Sequence, residues 1–413
     1  VSAPEPAPAV AASPTAAPLP AAAERLALAA LALAAFSLNL NTNVLGALLP
    51  FVQRELALRP GQEALLVAAA AGGSALGALA VGPAVRRHGR RTVLAGGLAV
   101  FVVASVGHLF VGDATLFLVL RAVAGLAVGL AYAVASALVA EIVPYHRRGA
   151  AMGRFNAGMF LAIPVGMPLS VWLAGQGHWS GIFLVQAVVG ALGLWLALRT
   201  LPAAIVAEAR VPAWVVLGRV PVLAGLVATL LHVGSFFTTV QLASGWLDRT
   251  GMLPKEDQMA LWVGFGLLAV GGSALFGRVS DAIGKRNFVL VTSAALVLGF
   301  AVLARQPATW LFALVGGVTA LVASARTGPL QAVVSGLVPP EQLGTLMGLR
   351  GFAMQAGVVG FALAAGPLAG ELGFAGVLYL AAGCQLGSYL AIRLWVHEPA
   401  AKAADKPSPS AAT

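Results

Sequence analysis

The sequence predicts an all-α, polytopic membrane protein of about twelve transmembrane helices in two six-helix, pseudo-symmetric halves, and three observations predict it. Of 413 residues, 59% are hydrophobic and only 10% charged, against about 25% charged in an ordinary soluble domain. Apolar stretches such as Leu26 to Pro50 and Val93 to Phe110 approach or exceed the roughly 18–20 residues that cross a bilayer, and they recur along the chain. Two separate loop sequences also repeat at one common spacing.

Taken in order, apolar runs bounded by Gly, Pro and charge predict helices near 26–50, 62–84, 92–112, 115–140, 150–175, 178–200, 220–246, 258–280, 287–304, 308–337, 343–369 and 373–396. Helices follow because backbone groups in hydrocarbon must be paired within the segment, and the runs are too long and too uniformly apolar for alternating barrel strands. Trp172, Trp179, Trp246, Trp262, Trp310 and Trp395 fall near the ends of these segments, where an aromatic belt places them. Residues 1–23 form an Ala/Pro-rich tail expected to be disordered, and 397–413 a shorter tail of the same kind. The halves are 24–200 and 220–396, joined by a linker at 201–219. A cleaved signal peptide is not expected, because the first apolar segment is followed by many others.

The net charge of +10 is a statement about topology. With a cytoplasmic N-terminus, the 25 Lys and Arg divide into 18 on the cytoplasmic side, five outside (Arg54, Arg59, Arg249, Lys255, Arg305) and two within helices, Arg121 and Arg326. That asymmetry follows the positive-inside rule. It predicts a multi-pass protein of the inner membrane with both termini cytoplasmic, a lipid bilayer around it and no nucleic-acid partner. The single Cys384 excludes an intramolecular disulfide and a thiolate metal cluster. A monomer is expected.

The repeat is the most informative feature. Gly82 to Arg91, containing Arg87, Gly89 and Arg90, matches Gly277 to Arg286, containing Asp281, Gly284 and Lys285, at an offset of 195 residues. Pro144 through Gly149 to Gly153 matches Pro339 through Gly344 to Gly348 in the same register. Parallel repeats of this kind are a transporter architecture, with the solute cavity between the halves.

These residues resemble the major facilitator superfamily over roughly 26–396. The family's loop signature is met at Gly82, Arg87, Gly89, Arg90 and Arg91, with Arg86 where an Asp is expected; the second copy keeps Asp281. Arg121, Gly125 and Gly129 are similar to the family's proton-coupling motif on the fourth helix. The stretch from Arg147 to Gly158, with Pro164, Gly166 and Pro168, is similar to drug:proton antiporters and related efflux proteins, without their Gly-Pro dipeptide. The resemblance implies a major facilitator fold, alternating access, a small-molecule substrate and a proton gradient in place of any cofactor.

Candidate residues follow. A charge at bilayer centre costs about 2.5–3.5 kcal/mol on insertion scales, so Arg121 and Arg326 need an account. Arg121 is either a proton-coupling group, as the resemblance implies, or a snorkelling interfacial arginine; Arg326 is a substrate-binding candidate. His232, midway along the seventh segment, either titrates in coupling or bonds helix to helix. Asn39 and Asn43 share one helix face and, with Gln241 and Gln355, are substrate-binding candidates, packing being the competing role. Gly82, Arg87, Gly89, Arg90, Arg91, Glu141, Arg147, Asp281, Gly284, Lys285 and Arg286 are read as gating residues, with Asp281 capping or pairing at the cytoplasmic end of the fifth helix. Glycine-rich runs such as Gly72-Gly73-Ser74 are helix packing and not nucleotide loops.

Two functions compete. One is proton-coupled efflux of a drug-like compound or small metabolite, such as a siderophore. The other is a carrier of an organic anion held by Arg121 and Arg326, since guanidinium suits carboxylate and phosphate. A non-transporting sensor of the same fold is the remote third. No nucleophile and base pair, metal-spaced His/Cys cluster or Walker loop points to an enzyme.

Overall fold

A computed structural model describes residues 20–57, 62–201, 212–305 and 308–397. Most of both expected tails, and 202–211 of the expected linker, lie outside the described residues. The N-terminal half contains α1 (Ala21–Glu55), α2 (Gln62–His88), α3 (Arg90–Gly107), α4 (Ala114–Ile142), α5 (Arg148–Leu161), α6 (Met167–Gly175) and α7 (Gly181–Thr200). A π-helical stretch, Ala162–Gly166, joins α5 to α6, so the two form one span. After the short α8 (Ala213–Leu217) come α9 (Val220–Thr250), α10 (Lys255–Ile283), α11 (Lys285–Leu303), α12 (Thr309–Ser335), α13 (Leu343–Glu371) and α14 (Gly373–Trp395). Twelve spans in the described residues are long and apolar enough to cross a membrane. Helix α1 begins at Ala21, so the last residues assigned to the tail are already helical.

Local chemistry sets the ends. Asp113 caps α4, accepting from the Thr115 and Leu116 N–H groups at 2.8 and 2.9 Å, which satisfies two donors that a helix start leaves open. The turns from α2 to α3 and from α10 to α11 run through Gly89 (φ 77°) and Gly284 (φ 91°). These are matching positions of the repeat, and the left-handed backbone there excludes a side chain at low cost.

Within the N-terminal half, α2 and α4 are in backbone contact. A Cβ on Gly77 would strike the Leu126 carbonyl, and one on Gly129 the Ser74 carbonyl. Small residues allow this approach where apolar lipid supplies little drive for helices to associate. The outer surface is apolar, with Val103, Leu275, Leu298 and Leu363 exposed, as a lipid-facing surface requires.

The halves touch chiefly through α2 with α13, α5 with α10, α5 with α12, and α4 with α13, with smaller contacts between α4 and α12 and between the Ala162–Gly166 stretch and α10. Midway along the interrupted span, Pro164 lacks an N–H. There the hydrogen-bond ladder slips into the π stretch, and Ser170 Oγ donates to the Gly166 carbonyl. Such π segments recur at functional sites.

Candidate functional site

The basic end of the bundle holds the repeated loops, and each reaches into the opposite half. Asp281, at the end of α10, accepts from the Gly149 N–H (3.0 Å) and the Ala150 N–H (2.8 Å) at the start of α5. It also pairs with Lys285 Nζ at 2.8 Å. A carboxylate there meets both the unpaired donors and the positive end of the helix dipole. Lys285 in turn stands over the Tyr145 ring of the N-terminal half, 4.5 Å from its centroid. Its counterpart Arg90 pairs with Glu141 at 2.7 Å and donates to the Pro340 carbonyl at 2.9 Å. Pro340 and Tyr145 are themselves 195 positions apart, so the two cross-half contacts are related by the repeat.

The acids are not related in that way. Arg86 occupies the place of Asp281, and Glu141 from the end of α4 supplies the carboxylate that Arg90 meets. Arg86 and Arg87 are exposed; Arg86, Gly82, Pro212 and Thr345 border a cleft of ≈ 150 Å³ between α2, α13 and α8. Other sequence-picked residues brace single halves. Arg91 donates to the Leu198 carbonyl, and Arg286 to the Arg393 carbonyl at 2.9 Å and the Val396 carbonyl at 2.6 Å. Both caps quiet helix C-termini. Arg147 pairs with Glu24 at 2.9 Å, and Arg148 reaches Ser335 Oγ across the halves at 3.2 Å.

One layer deeper, the halves share a polar cluster. Gln331 Nε2 donates to Ser136 Oγ, its repeat equivalent, and Gln331 Oε1 accepts from Asn156 Nδ2 at 2.9 Å. Asn156 Oδ1 accepts from the Tyr132 hydroxyl at 2.9 Å. Asn156, Gln331 and Ser136 are buried. Above the cluster, Phe160 stacks on Phe237 across the boundary at 6.0 Å. Beside it stands Arg350 of α13, 2% exposed and within electrostatic range of Tyr132 and His232. Arg350 Nε has no hydrogen-bond partner, and no ion pair reaches this guanidinium among the described residues. Leaving one buried donor unmet costs about 1–3 kcal/mol, more for a charged group.

Arg121 and Arg326 sit in different halves. Arg121 Nη1 donates to Asn41 Oδ1 at 3.0 Å and to the Asn41 carbonyl at 3.1 Å, and Asn41 Nδ2 donates to Gln186 Oε1 at 3.1 Å. This chain ties α4 to α1 and α7. Arg326 donates to Ser293 Oγ at 3.0 Å and Ser388 Oγ at 2.7 Å, tying α12 to α11 and α14. Both are buried, and each keeps one nitrogen without a partner. His232 contacts Gln385 Oε1 at 3.3 Å and Thr327 Oγ1 at 3.4 Å. Asn39 donates to the Met159 carbonyl at 2.8 Å and Asn43 to the Asn39 carbonyl at 3.0 Å. Gln355 is half-buried and Gln241 exposed. An apolar cavity of ≈ 50 Å³ lies inside the C-terminal half, lined by Phe236, Trp262, Phe265, Phe312 and Phe374 among others.

Three residues escaped the sequence reading. Helical periodicity puts Asn41 on a different face of α1 from Asn39 and Asn43, yet it is the partner of Arg121. Gln186 completes that chain. Arg350 is one of the 18 Lys and Arg that the charge pattern assigns to the cytoplasmic side, and its place two turns inside α13 is the signal that separates it from them.

Residues 31–253 and 253–412 match the Major Facilitator Superfamily. Among curated proteins the chain is similar to the putative metabolite transport protein YncC of Bacillus subtilis (strain 168), 33% identical over 167 residues, which covers 39% of this chain and 36% of that one. It is also similar to a probable sugar efflux transporter of Mannheimia succiniciproducens, 27% identical over 211 residues, covering 51% of this chain and 53% of the relative. The matches thus span a third to a half of those relatives' length. The solved structure of the proton:xylose symporter XylE bound to 6-bromo-6-deoxy-D-glucose superposes with a TM-score of 0.79 at 14% identity, covering 91% of this chain and 96% of that one; at that identity the likeness is one of fold. Twelve membrane-length helices, two repeated halves and loops that reach across them agree with the family match, and the chain belongs to the Major Facilitator Superfamily as a multi-pass membrane protein.

Proposed function

We propose that the protein is a secondary active transporter that exports a small polar metabolite by alternating access, in exchange for protons. The observation that carries this reading is the basic end. There polar contacts at loops and helix ends join the halves, Asp281 on α5, Arg90 on Pro340 and Lys285 on Tyr145, beside helix packing in which Ser273 Oγ donates to the Gly153 carbonyl at 2.9 Å. Such contacts can part without unfolding either half. With the basic end taken as cytoplasmic by the positive-inside rule, the structure is closed to the cytoplasm. Efflux and a metabolite-like solute are supported by the likeness to a putative metabolite transport protein and a probable sugar efflux transporter.

Proton coupling is assigned, in this reading, to His232 of α9, which is hydrogen-bonded between α14 and α12. Arg121 organises its half through Asn41 and Gln186. The reading in which Arg121 and Arg326 jointly hold an organic anion loses support, since each guanidinium is bonded within its own half. Reconstitution into proteoliposomes with an imposed pH gradient, and a panel of labelled sugars and metabolites, tests the proposal. Gradient-driven movement that a protonophore abolishes and His232→Phe weakens is the expected result. A folded protein that moves none of the panel, or moves it indifferently to the gradient and to Asp281→Asn, would remove it.

A further inference from the structure

We infer that Arg350 is the anchor for an anionic group, a carboxylate or phosphate, on the transported solute. The inference rests on the transporter reading and names the substrate class of the same site.

The argument starts from donors. A guanidinium has no acceptor capacity and a planar fork of N–H groups suited to two oxygens at once. Arg121 and Arg326 each make two hydrogen bonds to neighbouring helices. Arg350 spends none on the protein among the described residues, although it is 2% exposed. A charged group left inside a membrane protein in this way faces a pathway or a partner. Arg350 also stands on the right surface: α13 meets α4 and α2 across the boundary between halves, and Tyr132 and His232 are its electrostatic neighbours. Opening the basic end separates that boundary and bares Arg350 to the side from which an exporter loads.

The repeat excludes a scaffold role. The position matching Arg350 in the first half is Phe155, whose ring packs on Tyr132 at 5.3 Å. The fold is therefore satisfied by an apolar side chain at this site, and the arginine is an addition to one half. No carboxylate of the described residues reaches it, so an incoming anion meets an unpaired cation and no competitor.

Thermal unfolding of the purified full-length protein in detergent tests this, with citrate, malate and glucose 6-phosphate as anionic probes, glucose and xylose as neutral ones, and sodium chloride at matched ionic strength as control. A ligand that binds the folded state raises its melting temperature. At least one anionic probe is expected to stabilise the wild-type protein while the neutral sugars do not. Arg350→Gln is expected to weaken that binding roughly tenfold or more, Arg350→Lys to retain part of it. Arg350→Gln without ligand should melt at or above the wild-type temperature, which keeps loss of binding distinct from loss of fold. An anion response that Arg350→Gln leaves intact, or none at all in the wild type, overturns the assignment. Movement of a neutral solute in proteoliposomes, unchanged by Arg350→Gln, overturns it too and leaves the transporter reading standing. Arg350-dependent anion binding without any solute movement supports the anchor and removes the transporter reading.

Discussion

Ser136 and Gln331 occupy the same position of the two repeats and hydrogen-bond to each other across the boundary between the halves. A pseudo-two-fold axis brings equivalent positions together only where it passes, so this pair marks the axis on α4 and α12. The pair is also unequal, a hydroxyl against an amide, and the longer side chain reaches on to Asn156.

Gln331→Leu should therefore strand the buried Asn156 Nδ2 and take from Ser136 Oγ its donor, leaving that hydroxyl only its bond to Met347 Sδ at 3.2 Å. We expect a loss of about 1–3 kcal/mol, read as a lower melting temperature in detergent. Ser136→Ala, which removes only one acceptor, should lose less. Equal losses would mean that the amide adds nothing beyond its bond to Ser136.

Asp281→Asn keeps the shape of the cap but removes its charge, weakening both the Lys285 pair and the bonds to the start of α5. A change of about 1–2 kcal/mol shifts the ratio of open to closed basic end roughly tenfold. A cysteine introduced at Ser335, on a Cys384→Ser background, should label faster in the variant. Transport should fall while expression holds; an unchanged labelling rate would show that the cap does not bias the gate.

Glu141 and Arg86 give a reciprocal test. Glu141→Gln removes the carboxylate from Arg90, a pair with almost no solvent access, and breaking a buried pair costs about 3–5 kcal/mol. Arg86→Asp places an acid at the position matching Asp281. The double variant should recover part of the transport lost in the single one. No recovery would mean that Arg90 needs its acid on α4 in particular.

Gly129→Leu should impair folding itself. Its side chain would have to displace the α2 backbone at Ser74, a clash costing about 3 kcal/mol or more. Size-exclusion chromatography of a fluorescent fusion should show aggregated protein; a monodisperse peak would mean that α2 and α4 can separate without penalty.

What could be read in advance follows from where each signal is written. Span length and hydropathy are properties of consecutive residues, and the helices lie within five residues of the sequence-derived ends. The cap at Asp281 was legible because the loop repeat and the start of α5 are both local patterns. Asn41 was not: helical periodicity separates faces, but only the packing of α4 and α7 tells which face of α1 is buried against an arginine. Arg350 was hidden by counting, because seven residues into a helix that starts beside a basic loop a charge looks like part of the loop. The Arg90–Glu141 pair joins the start of α3 to the end of α4, a contact that the repeat itself disguised by promising the acid at position 86.

The π stretch around Pro164 has a mechanical consequence. The equivalent of Pro164 in the second half is Val359, in the unbroken middle of α13, whose own proline lies at position 367, near the far end of the helix. Of the two matched spans at the boundary, one carries a soft joint at mid-depth and the other is a stiff rod. Bending strain in the bundle will collect in the jointed span, so the protein, though built from two copies of one design, flexes like an elbow against a beam.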